Sequence, residues 1–195
     1  IDMTSSGAAS LVGSKSVKVG TARNVDQSGV ATLTTGDAKV SGGVDIRSGS
    51  GSEASGSVTI SVGSTTGVTG GDVSLIAGGA DSTGGKVLFD GGHGSSGGEV
   101  AISGGTGSEG IGGGLLMQSG TGSQTGGEIN IAAGSSAMSG GSVVVSGGQS
   151  DGSIGGSVHI AAGSSRDAVG GSLSLVSGQS ASSSSGAVAL GSAAS

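Results

Sequence analysis

An aliphatic pair split by one spacer residue returns every 13 to 15 residues along this chain. The copies run Val44/Ile46, Val58/Ile60, Val73/Leu75, Val87/Phe89, Val100/Ile102, Leu115/Met117, Ile129/Ile131, Val143/Val145, Val158/Ile160, Leu173/Leu175 and Val188/Leu190, with weaker copies at Val17/Val19 and Ala31/Leu33. Each pair has the period of two that belongs to a β-strand, so both aliphatics point to one face and the spacer to the other. A small residue follows two positions later, as at Ser48, Ala77, Ser119, Ala133, Ala162 and Ser177, and then a glycine. A glycine pair such as Gly126-Gly127, Gly140-Gly141 or Gly170-Gly171 precedes the next aliphatic pair. Glycine reaches positive φ at little steric cost, so both places are expected to be corners.

One such unit cannot bury its own aliphatic stripe, whereas a stack of units buries a continuous one and pairs backbone groups between coils. The expected fold is therefore all-β: a parallel β-solenoid (β-helix) with flattened 13–15-residue coils, about 13 coils in all. Each coil would hold two short strands, and at about 4.8 Å between coils the rod would be on the order of 60 Å long. An up-and-down antiparallel sheet is the rival, but it needs alternate connections to differ, and here every unit is alike. Residues 1–195 read as a single repeat domain, with 31–195 as regular coils and 1–30 as a less regular segment suited to capping one end. The last strand, Val188/Leu190, runs to Gly-Ser-Ala-Ala-Ser without a charged or helical cap. Solenoids normally protect their open edges, so the expectation is a piece of a longer array or end-to-end stacking into a fibre. Lys15, Lys18 and Arg23 would make one end basic against an acidic remainder, a charge match that high salt would abolish.

Composition agrees with order built by repetition rather than by bulk. There are 48 glycines, a single aromatic (Phe89), and no Trp, Tyr, Pro or Cys, so the large side chains that usually dominate a core are missing. Disordered chains are typically rich in charge and proline, whereas only 10% of these residues are charged and proline is absent. The net charge of −6, with seven scattered Lys and Arg, offers no basic strip for a phosphate backbone, so nucleic acid is not an expected partner. No apolar run approaches a membrane span, so membrane insertion is not expected. Abundant Ser reads as a small, turn-compatible, soluble filler.

Motifs that carry chemistry elsewhere fail here on context. Gly105-x-Gly107-x-x-Gly110 matches the dinucleotide fingerprint and Gly94-x-Ser96-x-Gly98 the nucleophile elbow, but both lie in glycine-rich corners with no helix to follow. His93 and His159 stand apart, neither placed as a base beside a nucleophile, and two histidines that do not stack argue against a transition-metal site. The loops "GGADSTGG" and "GGTGSEGIGG" resemble calcium-binding nonapeptide repeats, yet those need an acid at a fixed place in each turn, and Asp81, Glu109, Asp151 and Asp167 are sporadic. The chain is thus expected not to be an enzyme, and to hold no cofactor or metal.

The outward face of the expected solenoid carries the candidate site. Ile76, Leu88, Leu116, Val144 and Val176 alternate out of phase with the core pairs, and contiguous exposed apolar area marks an interaction surface. Asp72, Lys86 and Glu99, in successive units, would set a lysine between two acids at ladder distance.

The units "GGSVHIAAGSS", "GGEINIAAGSS" and "GGSLSLVSGQS" resemble the Gly/Ser/Val repeat arrays of secreted structural and adhesive surface proteins of microalgae. That resemblance implies an extracellular or cell-surface location and a structural or adhesive role. Its partners would be further copies of the chain, joined laterally or end to end, together with extracellular matrix or polysaccharide. Two other roles compete. Several ice-binding proteins resemble this chain in being short-coil β-solenoids, but their column of outward Thr is reduced here to Thr59 among the spacers from Asp45 to Ala189. A passive spacer or carbohydrate-binding module is the third.

Overall fold

The computed structural model describes residues 9–22 and 26–193. The basic end expected at Lys15, Lys18 and Arg23 falls partly outside them, since Arg23 is not among the described residues. The chain divides into two compact units, Ile1–Val100 and Ala101–Ser195. Both are built from the same two parts, an extended stem that holds the aliphatic pair and an arch that joins one stem to the next.

The stem has a constant length. It opens and closes on glycine seven positions apart, at 42–49, 56–63, 71–78 and 85–92 in the first unit, and at 113–120, 127–134, 141–148, 156–163 and 171–178 in the second. The aliphatic pair always occupies the third and fifth places, as Val87 and Phe89 do between Gly85 and Gly92. All variation in repeat length therefore sits in the arch. Arch 92–98 has five residues between its glycines, arch 120–127 has six and arch 163–171 has seven. The chain bends once in each of these, at 94–96, 123–124 and 166–168.

Eight arches, from 78–85 onward, are each closed at the mouth by one main-chain hydrogen bond between glycines, whereas 49–56 and 63–71 are not. In the first unit the Gly85 amide donates to the Gly78 carbonyl at 2.9 Å and Gly98 to Gly92 at 2.8 Å. In the second unit Gly113 donates to Gly105, Gly127 to Gly120, Gly141 to Gly134, Gly156 to Gly148, Gly171 to Gly163 and Gly186 to Gly178, all at 2.8–2.9 Å. Apart from these bonds between terminal glycines, no main-chain bond joins one stem to another among the described residues.

This overturns the expected solenoid. The described residues contain no strand and no helix, so there is neither an all-β sheet nor a stack of coils. The expected core is likewise absent. Val87 is 46% exposed and Ile131 68%, and no side chain is buried among the described residues. Only Ser48, Ala77, Gly91, Ser119, Ser177 and Ser180 are even half-buried. The accessible surface is 19349 Å², against about 7,900 Å² for a compact protein of this mass and about 25,000 Å² for an unfolded one.

Two physical reasons account for the difference. One aliphatic pair per unit is a thin apolar layer to set against the conformational entropy of ordering 13 to 15 residues, many of them glycine. From arch 49–56 to arch 120–127 consecutive arches also differ in length, so there a stem laid on the next stem of the same chain would bring unequal arches together; the equal arches 148–156, 163–171 and 178–186 carry no such mismatch. No helix of the described residues is long and apolar enough to cross a membrane.

Candidate functional site

The arch-closing glycines are explained by close approach, whereas the space around the arch-opening ones such as Gly120 and Gly134 is open. No residue among those described has a positive φ, which corrects the expectation of glycine corners. At the mouth of an arch the opening stem's seventh residue faces the glycine that closes the arch. A methyl group on Gly127 would stand 3.3 Å from the Ser119 Cβ, and one on Gly141 the same distance from the Ala133 Cβ. Small side chains at this place are thus what lets the arms approach to hydrogen-bonding distance. Val62 is the exception. A methyl on Gly71 would lie 2.9 Å from its Cγ1, and arch 63–71 has no closing bond between its glycines, though arch 49–56 lacks one too beside the small Ser48.

The third residue of the arch is governed by a second rule, which the reading of serine as filler missed. Two positions after the opening glycine stands, in every arch from 49–56 onward except 78–85 with its Ala80, either a hydroxyl that caps the bend or a glycine lying under a carbonyl. In arches 63–71, 134–141, 148–156, 163–171 and 178–186 the hydroxyl is present. Thr65 Oγ1 accepts from the Gly67 amide at 2.9 Å, Ser136 Oγ from Met138 at 3.2 Å, and Ser150 Oγ from Ser153 at 3.0 Å. Ser165 Oγ accepts from Ala168 at 3.0 Å, and Ser180 Oγ from Ser183 at 2.9 Å and Ser182 at 3.4 Å. These are the local side-chain to backbone bonds by which Ser and Thr stabilise turns. In arches 49–56 and 120–127 the place belongs to Gly51 and Gly122, where any Cβ would overlap the carbonyl of Ala54 or Thr125. Gly107 sits in the same way, with a Cβ 2.8 Å from the carbonyls of Gly110 and Ile111. The string Gly105-x-Gly107-x-x-Gly110 is thus accounted for by the packing of one arch. The signal for the rule was in the sequence, as Ser or Thr recurring two residues after an arch-opening glycine.

The stems carry the expected interaction face. Ile76, Leu88, Leu116, Val144 and Val176 are 71–86% exposed. The aliphatic pairs on the alternate positions are exposed as well, so the stem offers apolar side chains at both sets of positions instead of an inner and an outer one. The charge column does not form. Asp72, Lys86 and Glu99 make no ion pair, because the ladder that would have brought them together is missing. The ion pair that does form lies within one stem, where Arg47 Nε donates to Asp45 Oδ1 at 3.0 Å and the guanidinium pairs with the second carboxylate oxygen, both side chains being exposed.

Among the described residues there is no pocket and no group of three or more His, Asp or Glu placed to hold a metal. His93 lies within arch 92–98 and His159 at the middle of stem 156–163, and neither has a hydrogen-bond partner. The arrangement presents main-chain amides, carbonyls and aliphatic side chains in a regular series. Comparison of the chain with protein families, with curated proteins and with solved structures finds no match.

Proposed function

We propose that this chain is a structural or adhesive repeat protein of the extracellular space, without enzymatic activity, that works by associating with further copies of itself. The observation that carries this reading is the constant stem. Repeat after repeat it holds the same pair of exposed aliphatics in an extended backbone whose hydrogen-bonding groups, the terminal glycines apart, have no partner in another stem. Exposed apolar residues in an ordered series are the mark of an interaction surface, and unpaired extended backbone is a template for pairing with another chain. The resemblance of the units to microalgal surface arrays supports the location and the role. Matrix polysaccharide is a further partner under this reading, and neither nucleic acid nor a bilayer interior is one.

The test is sedimentation and negative-stain electron microscopy of the purified chain over a range of concentration. Filaments or sheets that grow with concentration are the expected result. A monomer at every concentration and ionic strength would overturn the reading.

A further inference from the structure

The stems and arches together specify the partner more narrowly. We infer that a second copy of this chain docks on the first in parallel and in register, stem 171–178 on stem 171–178 and arch 163–171 on arch 163–171, through main-chain hydrogen bonds along the stems. The inference rests on the self-association proposed above and adds its geometry.

The length pattern carries it. Each stem from 42–49 to 171–178 is seven positions from glycine to glycine, so any of these can lie on any other. The arches are less permissive. Moving the second copy by one unit lays the five-residue arch 92–98 on the seven-residue arch 105–113 or the six-residue arch 78–85. It also sets the Ser136 cap of arch 134–141 on the carbonyl-covered Gly122 of arch 120–127. A slip by a single residue turns every aliphatic of a stem to the opposite face. Only zero displacement puts each stem on an identical stem and each arch on one of equal length and chemistry.

The surface available is ample. The 19349 Å² exposed by one chain is more than twice the area of a compact protein of its mass, and a stable interface needs only about 1,200–2,000 Å². Identical stacking also places Asn130 on Asn130 and Phe89 on Phe89, the amide and aromatic ladders that strengthen in-register assemblies. Against it stands like charge on like charge, Asp72 on Asp72 and Glu99 on Glu99, with a net −6 on each copy. Added salt weakens that repulsion.

The chain has no cysteine, so a single introduced thiol carries a unique spin label. Ser174→Cys and Asn130→Cys place it at the centre of stems 171–178 and 127–134. In assemblies of fully labelled protein, copies about 4.8 Å apart give one exchange-narrowed line, and dilution with unlabelled protein restores three lines. That result at either position, with a fibre-diffraction reflection at about 4.8 Å from the unlabelled chain, is expected. Assemblies that form but show three lines at full labelling at both positions, or that lack the reflection, overturn the in-register docking while leaving self-association standing. Absence of any assembly from the unlabelled chain overturns both.

Discussion

At the scale of single residues, the arches show how little side-chain chemistry this fold uses. A serine hydroxyl two places after a glycine replaces a main-chain partner at the bend, and a glycine in the same place admits a carbonyl instead. Ser165→Ala removes the acceptor of the Ala168 amide. An exposed hydrogen bond contributes about 0.5–1 kcal/mol net, so hydrogen exchange at Ala168 should accelerate roughly two- to fivefold while Ser165→Thr leaves it nearly unchanged. Equal rates in all three proteins would deny the cap. Gly122→Ala forces a Cβ into the Thr125 carbonyl, whereas the space around Gly120 is open. The first substitution should therefore shift the amide resonances across arch 120–127 and abolish protection of the Gly127 amide, and Gly120→Ala should do neither. Identical spectra for the two variants would sink that account. The positions are visible in the sequence only as hydroxyl or glycine, because the carbonyl that decides between them comes from three or four residues further along.

The element scale is that of stem and mouth. Alternation predicted a β-strand around each aliphatic pair, and the described residues contain none; the stems merely run without a bend. What alternation could not show is where the stem ends. The small seventh residue reads as a third inward-facing position, but its physical role is to let two arms of one arch meet over a glycine. Val62 is the one large residue at this place, beside an unclosed arch, so the exchange can be made in both directions, while the unclosed arch 49–56 beside Ser48 shows that size is not the sole control. Ala162→Val should open arch 163–171, and exchange at the Gly171 amide should rise to that of an unstructured glycine. Val62→Ala should in turn slow exchange at Gly71. If Ala162→Val leaves Gly171 protected, side-chain size at the mouth does not control closure.

At the scale of the whole molecule the balance lies between apolar surface and charge. Each copy brings −6 and a long series of exposed aliphatics, so copies repel at a distance and attract at contact. Between about 0.01 M and about 1 M salt the Debye length falls from about 30 Å to about 3 Å, which screens the repulsion and leaves hydrophobic contact intact. Light scattering at constant protein concentration should therefore show assembly increasing with salt. Assembly that dissolves in high salt would instead favour attraction between oppositely charged ends.

The sequence by itself determined the period, the spacing of glycines about each aliphatic pair and the thin apolar content, because these follow from residue identity and spacing within a few positions. It did not determine that the stems would stand apart. Periodicity of two states which side chains share a face, and says nothing of which stretch of backbone lies alongside. Only the tertiary structure decided that most arches close through one glycine-to-glycine bond while neighbouring units of the chain form no ladder. That choice depends on distances across an arch and between successive stems, where main-chain groups find water as readily as each other.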